Sequence, residues 1–242
     1  MKEKSSEYLN QRSLEKYSPK FLAMLENIKR EDNVGLNLVY SQFRTMEGIE
    51  IFSMVLLENG FKEFKIKSLG QGQWDLDFPN ENFGLPMFAL YTGTEDYEER
   101  EIIRLIYNGE WDKIPIPIQS KLREYYPNNN FGEIIKVLMI TASGSEGINL
   151  KNTRYVHLME PYWHPVRLEQ VIGRARRICS HKNLEFDFQT VEAFVYLMEF
   201  TQEQVDREES NELRKKDLSK RKFNLEGRLA VSYTHLTLPT KA

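Results

Sequence analysis

The sequence predicts a three-layer α/β fold, in which helices cover both faces of a central, mostly parallel β-sheet. Apolar runs suited to buried strands alternate with amphipathic helical segments, which is the pattern of parallel sheets. Polar loops follow these runs, at the edge of the sheet where such folds bind ligands. At 242 residues and 40% hydrophobic content, the chain can bury the core of one large domain. The strand candidates are "GLNLVYS", "PMFALYTG", "IKVLMITASGSEG" and "RYVHLM".

Helix signals fall between the strand candidates. In "YSPKFLAMLENIKR", Ser18 is suited to cap a helix that begins at Pro19, and apolar residues recur on one face. Thr45 is expected to cap a second helix, and "TEDYEEREIIRLIYN" predicts a third with acidic residues in its first turn. We therefore interpret the carboxylates from Glu95 to Glu99 as helix N-terminal charge, not as a catalytic pair. Pro165 is predicted to begin a further helix.

The flanking segments define the predicted domain boundaries. Residues 1–16 form an N-terminal flank, and residues 17–200 form the domain itself. Residues 201–230 are charged and poor in apolar residues, which favours a solvated helical extension; a basic contact from Arg214 to Lys222 is the alternative. Residues 231–242, "VSYTHLTLPTKA", resemble a translated sequencing adaptor. We exclude them from the fold prediction, although their alternation could form a strand.

Two segments interrupt the alternation of strands and helices. They lie around residues 69–84 and 111–132, and both are rich in Pro, Gly and Asn. Loops of this length and composition within a compact domain are usually functional, so we predict two surface insertions here.

Composition restricts the function classes. A net charge of −3 argues against general electrostatic binding of nucleic acid but allows a local basic groove. Cys179 is the only cysteine, which excludes an internal disulfide and a cysteine-cluster zinc site, and fits a reducing intracellular compartment. His157, His164 and His181 lack metal-ligand spacing, so no metal site is predicted. The sequence has no apolar run long enough to cross a membrane and no secretory signal at its start.

The stretch "RLEQVIGRARR", residues 167–177, concentrates positive charge on one predicted helix. At about 100° per residue, Arg174 and Arg177 fall within about 40° of Gln170, and Arg167 falls about 60° away. The neighbouring arc, which includes Ile178, is apolar and can pack on a sheet. Guanidinium groups suit bidentate recognition of phosphate. Gly173 costs about 1 kcal/mol relative to Ala in a helix, which indicates a close approach to its backbone or a bend. A solvated amphipathic helix remains the alternative.

The preceding loop favours a phosphate ligand. "TASGSEGINL" follows a strand and offers small residues with free backbone N–H groups, which can bind an anion or a ribose. An ordinary tight turn is the alternative reading of this loop. Together with "RYVHLMEPYWHPVRLEQVIGRARRICSH", the loop closely resembles motifs V and VI of superfamily 2 helicases. The resemblance is greatest to Swi/Snf-type translocases and to related nucleoside triphosphatase helicases of large DNA viruses. It extends from about residue 17 to residue 200, and it implies the second RecA-like lobe.

The resemblance implies roles for individual residues. Gln170, Gly173, Arg174 and Arg177 match the Q-x-x-G-R-x-x-R of motif VI. Arg174 and Arg177 would be arginine fingers that reach the γ-phosphate of ATP, and Gln170 would help to place that phosphate or the attacking water. The remaining implied contacts are Gly147 and Asn149 with the nucleotide, and Gln42, Thr141 and Ser143 with a nucleic-acid backbone. Motif V departs from the Swi/Snf pattern at Ser145 and Glu146, and motif VI departs from it at Arg176, where that group has a histidine. The motif V departure favours the viral branch.

Two motifs of an ATP-hydrolysing enzyme are not found in the sequence. It contains neither G-x-x-x-x-G-K-[ST] nor an Asp-Glu dipeptide. We therefore expect ATP and Mg²⁺ to be bound mainly by an N-terminal RecA-like lobe of the same parent protein, and we expect this chain alone to be inactive. DNA or RNA is the expected second partner. The alternative is a non-catalytic, single-lobe nucleic-acid-binding or scaffold protein.

Overall fold

The computed structural model describes residues 4–45, 48–142, 147–161, 165–197 and 233–238. A seven-stranded sheet forms the centre, in the order β2-β5-β6-β1-β7-β8-β9. Every neighbouring pair is parallel except β8 and β9, which are antiparallel. The strands are β1 (Leu36–Ser41), β2 (Lys62–Glu63), β5 (Met87–Tyr91), β6 (Ile135–Thr141), β7 (Thr153–Leu158), β8 (Val191–Tyr196) and β9 (Tyr233–Leu238), with β3 (Ile66–Gly70) and β4 (Gln73–Leu76) forming a separate antiparallel hairpin.

Helices cover both faces of this sheet, as predicted. The first face carries α1 (Ser5–Tyr8), α2 (Gln11–Tyr17), α3 (Pro19–Lys29) and α4 (Ile49–Glu58), and the second carries α5 (Tyr97–Tyr107), α6 (Ile116–Tyr125) and α7 (Pro165–Ala175). Along β1, Leu38 and Tyr40 face the second layer, whereas Val39 faces the first. Because successive side chains of a strand alternate between faces, one apolar run contributes to two separate cores.

Most of the predicted elements form where the sequence indicates. The Ser18 hydroxyl accepts a hydrogen bond from the amide of Phe21, and Pro19 is the first residue of α3. Thr45 does not cap α4, because that helix begins at Ile49 with Gly48 in the cap position. A Cβ at Gly48 would lie 1.8 Å from the carbonyl oxygen of Phe43, so the preceding loop folds back too tightly for any other residue.

The two predicted surface insertions are anchored to the core. Trp74, on the β3–β4 hairpin, is 5% exposed, and Ile118 and Leu122 of α6 are fully buried. These side chains join the cluster on the second face of the sheet, so both segments extend the covering layer there.

The C-terminal end of the described chain adds β9 to the open edge of β8. This strand lies within residues 231–242, which the sequence predicts to derive from an adaptor. An exposed edge accepts any alternating segment through its backbone, so the pairing leaves that prediction untested. The predicted extension 201–230 lies outside the described residues.

Candidate nucleotide and nucleic-acid site

Three parallel strands in the centre of the sheet end side by side. Ser41 of β1 is in register with Thr141 of β6, and Tyr40 is in register with Leu158 of β7. The loops that follow therefore start at one edge, here called the carboxyl edge. This edge includes Gln42, the first residue after β1, whose contact with a nucleic-acid backbone remains a prediction.

Glu160 connects two of these loops. One of its carboxylate oxygens accepts a hydrogen bond from the Ser41 hydroxyl at 2.9 Å, and the other accepts one from the backbone amide of Gln42 at 3.0 Å. Burial raises the pKa of the Glu160 carboxyl, and the hydrogen bonds from Gln42 and Ser41 oppose that shift. No local sequence pattern indicated these two contacts, since the partners of Glu160 lie more than a hundred positions away.

Thr141 has a structural contact at the carboxyl edge. Its side chain is buried, and its hydroxyl donates to the carbonyl oxygen of Thr92 at 2.8 Å, which ties β6 to the loop after β5. A contact between Thr141 and nucleic acid remains a prediction. Ser143, together with residues 144–146, lies outside the described residues.

The carboxylates that follow β5 have the structural role predicted for them. Glu95 accepts hydrogen bonds from the amides of Thr92 and Gly93 and from the Thr92 hydroxyl, which closes the loop. Burial alone would raise the pKa of Glu95, but these hydrogen bonds outweigh it and hold the pKa below its usual value. Asp96 caps α5 by accepting from the amide of Glu98.

The helix α7 presents a polar face above a packed base. Val171, Ile172 and Ala175 are buried against the second core, whereas Gln170 is exposed and Arg174 is partly exposed. An added Cβ at Gly173 would meet no atom within 4 Å, so no part of the described chain approaches its backbone closely. The polar stripe predicted from the sequence is therefore accessible from Gln170 to Arg174.

The predicted helix extends too far at its C-terminal end. It stops at Ala175, so Arg177 lies beyond it and is not placed by the helical wheel. Ile178, predicted to pack on the sheet, is 95% exposed, and Cys179 is exposed in a left-handed backbone conformation with φ of 59°. The prediction for Ile178 was wrong because it assumed that the helix continues.

The segment after Arg177 fixes where α7 ends. The Ser180 hydroxyl donates to the carbonyl oxygen of Ala175, the backbone of Ser180 accepts from the amide of Asn152, and His181 is hydrogen-bonded to the carbonyl oxygen of Thr153 at 2.8 Å. Burial lowers the pKa of His181, which favours the neutral ring in this contact. Since Thr153 is the first residue of β7, the arginine-bearing end of α7 lies toward the opposite edge of the sheet, here called the amino edge.

The guanidinium groups at this end are free of carboxylate partners. Among the residues that the structure describes, no ion pair involves Arg174, Arg176 or Arg177. Elsewhere arginines are engaged: Arg104 forms an ion pair with Glu101, and Arg154 lies over the ring of Phe188. The end of α7 thus has positive charge that is available to a ligand.

The predicted nucleotide contacts Gly147 and Asn149 precede β7. Gly147 is exposed with φ of 72°. The side chain of Asn149 is exposed, whereas its backbone carbonyl accepts from Asn108 Nδ2 at 2.9 Å and from the Arg104 guanidinium at 3.2 Å. Sequence reasoning missed these two residues, which hold the motif V segment against the end of α5.

A charged cluster supports the same contact. Glu110 lies within 4 Å of Arg104, Lys113 and Lys151. Burial alone would raise the pKa of Glu110, but hydrogen bonds from Lys113 and Lys151 hold it at about 2. The ionised cluster therefore fastens the segment before β7 to the segment after α5 over the whole neutral pH range.

The histidines serve structure in the described part of the chain. His157 is fully buried, and its ring nitrogens contact the Tyr196 hydroxyl at 2.8 Å and Asn37 Oδ1 at 2.9 Å. No group of three potential metal ligands occurs within the described ranges. His164 lies outside them.

Comparison with known proteins identifies the family to which this domain belongs. Residues 120–179 match the family described as "Helicase conserved C-terminal domain". The chain carries a helicase C-terminal domain. The matched range includes α6, β6, β7 and α7, and therefore both predicted motifs. In the described ranges, no helix is long and apolar enough to span a membrane.

Two relatives of this helicase C-terminal domain are viral proteins. The domain is 34% identical over 184 residues to a protein of Acanthamoeba polyphaga mimivirus that is named as an ATP-dependent RNA helicase, covering 76% of this chain and 26% of that one. It is 31% identical over 220 residues to a termination factor NPH-I homolog of African swine fever virus, covering 81% and 28%. The chain thus spans about a quarter of the length of these relatives.

Among solved structures, the domain matches the C-terminal part of the Fun30 ATPase domain. The sequence identity is 16% and the TM-score is 0.37, with coverage of 64% of this chain and 34% of that one.

Proposed function

We propose that this domain is the second RecA-like lobe of an ATP-dependent superfamily 2 helicase or translocase. In this proposal, a first lobe with a P-loop binds ATP and Mg²⁺, and this lobe closes on the bound nucleotide while it holds a DNA or RNA backbone. Nucleotide-driven closure would then move the protein along the strand. Because the chain covers only 26% and 28% of the length of these relatives, this activity concerns the whole protein.

The observation that carries the proposal is the free positive charge at the end of α7. Arg174 extends from a helix whose opposite face is buried, Arg177 lies two residues beyond the end of that helix, and neither has a carboxylate partner among the described residues. Charge held in place without a partner is preorganised for an anion, since no internal ion pair must break when the ligand arrives. These residues fit one side of a triphosphate, where arginines stabilise the charge that develops during phosphoryl transfer.

Three further residues would assist the arginines. Gln170, one turn earlier on the exposed face of α7, would orient the phosphate or the attacking water. Gly147 and Asn149 would contact the nucleotide from the segment that α5 holds in place. ATP supplies the energy of the cycle, and the residues of this lobe contribute binding, orientation and charge.

A substitution series tests the arginine assignment. In the full-length protein, Arg174→Ala or Arg177→Ala should lower kcat for ATP hydrolysis about 10³-fold while ATP binding persists. Arg176→Ala is the matched control, because Arg176 is exposed on the same segment but occupies an x position of Q-x-x-G-R-x-x-R. Wild-type turnover in either Arg174→Ala or Arg177→Ala would contradict the assignment.

A further inference from the structure

The side chain of Asn108, the residue that follows α5, binds one segment of the chain with both of its polar groups. It is fully buried, its Nδ2 atom donates to the carbonyl oxygen of Asn149 at 2.9 Å, and its Oδ1 atom accepts from the backbone amide of Lys151 at 2.8 Å. Residues 148–151 belong to no strand in the described part of the chain. Asn108 therefore supplies hydrogen bonds that a neighbouring strand would otherwise give these backbone groups.

These hydrogen bonds fix the direction in which the Asn149 side chain points. Ile148 and Leu150, on either side of it, are 2% and 0% exposed and pack in the core on the second face of the sheet. The Asn149 side chain is exposed, and its carbonyl oxygen also accepts from the Arg104 guanidinium at 3.2 Å. A backbone that is held at its carbonyl and flanked by two buried side chains has little freedom to rotate, so Asn149 faces solvent in one orientation.

The same segment is attached to the residues that follow α7. The backbone amide of Asn152 donates to the carbonyl oxygen of Ser180 at 2.9 Å, and the Ser180 hydroxyl donates to the carbonyl oxygen of Ala175, the last residue of α7. Asn149 thus belongs to a short segment that is held from both sides, by the end of α5 and by the arginine-bearing end of α7.

The two contacts of Asn108 require an amide side chain. Asparagine offers a donor and an acceptor on a short side chain, and the two backbone groups that it binds need one of each. An alanine would leave both groups without this partner in a buried place. Since Asn108 does not reach solvent, it can act on a ligand only through the segment that it holds.

We propose that Asn108 is a positioning residue of the nucleotide site, which holds residues 149–151 so that the side chain of Asn149 faces the ATP bound at the arginine-bearing end of α7. The proposal rests on the proposed function and deepens it, because it names the residue that orients one nucleotide contact. Asn108 itself touches no nucleotide. Its loss should therefore weaken ATP binding and leave the action of the arginines in place.

The test measures steady-state ATP hydrolysis by the full-length protein at saturating oligonucleotide, at a temperature at which circular dichroism shows each variant to be folded. Asn108→Ala should raise the KM for ATP about tenfold and leave kcat within about twofold, because loss of a contact that binds the ground state and the transition state equally changes KM alone. A wild-type KM in folded Asn108→Ala would overturn the proposal.

Asn129→Ala is the matched control for a purely structural role. Asn129 is also fully buried, and its side chain binds backbone groups of Tyr107, Ile134 and Ile135. Its replacement should lower the free energy of unfolding as Asn108→Ala does but leave the KM unchanged, because none of these partners lies in residues 149–151. An equal rise in KM in both variants would indicate a general loss of packing and would contradict the positioning role.

A double variant shows whether Asn108 acts through Asn149. Asn149→Ala should itself raise the KM about tenfold, and combining it with Asn108→Ala should raise the KM no further, because the group that Asn108 positions is already gone. Losses that multiply in the double variant would rule out the route through Asn149, and so would a wild-type KM in Asn149→Ala.

Arg104 gives a second test, at a partly exposed position, that does not depend on the folding of Asn108→Ala. Arg104→Met removes the other donor to the Asn149 carbonyl oxygen and should raise the KM about threefold. Glu101→Gln is its control, because it breaks the ion pair of Arg104 and leaves that donor in place. If Asn108→Ala does not fold, a wild-type KM in Arg104→Met refutes the proposal. The arginine-finger assignment is measured by kcat, so its failure is distinguishable from failure of this proposal.

Discussion

The two edges of the sheet differ in whether their polar groups have partners within the described chain. At the carboxyl edge, the polar groups are bound to one another: Thr141 to Thr92, Glu95 to Thr92 and Gly93, and Glu160 to Ser41 and Gln42. At the end of α7, toward the amino edge, Arg174 and Arg177 have no such partner in the described chain. A complete hydrogen-bond network fixes the conformation of the loops, whereas an unpaired charge can bind a ligand without first breaking an ion pair.

If the two edges have separate roles, substitutions at one edge should impair ATP turnover and substitutions at the other should impair oligonucleotide binding. This is the largest expected effect. Arg174→Ala and Arg177→Ala should lose about 10³-fold in kcat for ATP but bind an oligonucleotide within about twofold of the wild type. Gln42→Ala should do the reverse, with weaker oligonucleotide binding and smaller changes in kcat measured at saturating oligonucleotide. Parallel losses of both properties in all three variants would show that the edges form one site.

The next largest effect is expected on stability, at the hydrogen bonds that hold the end of α7 against the start of β7. His181→Ala removes a buried ring and leaves the carbonyl of Thr153 without its partner, so the free energy of unfolding should fall by about 2–3 kcal/mol. Urea unfolding measures this loss. Lys182→Ala, at the exposed neighbouring position, should change the stability by less than about 0.5 kcal/mol. Equal stability of the two variants would contradict the anchoring role of His181.

Acid should weaken the centre of the sheet through His157. Burial lowers the pKa of His157 to about 3, against 6.5 for the free side chain, so below about pH 6.5 the unfolded state binds a proton that the folded state does not. This residue's contribution to stability is therefore complete above pH 6.5 and is lost as the pH falls toward 3, by up to about 1.4 kcal/mol per pH unit.

The comparison for this pH effect is His157→Gln, which lacks the titrating ring. Chemical denaturation between pH 4 and pH 7 should give a shallower dependence for the variant than for the wild type. An unchanged slope would show that other groups cause the acid sensitivity.

The smallest expected effect concerns a carboxylate near the carboxyl edge. Asp96→Ala removes the N-cap of α5 and should lower stability by about 1 kcal/mol with kcat unchanged, because this group serves the helix and no ligand. Glu124→Ala, exposed on α6, is the control and should be nearly neutral. A loss of ATP turnover in Asp96→Ala without a loss of stability would break the distinction between the edges.

Much of the fold could be predicted because the strands are long, apolar and punctuated by polar loops. β1, β5, β6 and β7 form within the predicted runs. Val191–Tyr196 was not predicted as a strand, although "VEAFVY" alternates, and it became β8 through pairing with β7. The site was less predictable, because motif positions give residue roles but not the contacts that hold them.

The end of α7 shows why local patterns fail where distant contacts decide the structure. "RRICSH" contains neither Gly nor Pro, so a helical wheel continues through it. The helix ends at Ala175 because Ser180 and His181 are hydrogen-bonded in the segment that meets the start of β7. Such distant contacts leave no pattern in a short stretch of sequence. The contacts of Glu160 were not predicted for the same reason, since its partners belong to β1 and to the loop that follows it.

The exposed thiol of Cys179, two residues after Arg177, can be labelled to follow conformational change. Cys179 is the only cysteine of the 242 residues and is open to solvent, so a maleimide dye can be attached at a native position beside the arginines. Energy transfer from that dye to a second one on the proposed P-loop lobe would report the distance between the two lobes during turnover. The proposed closing motion could then be timed directly without engineering a new attachment point into this domain.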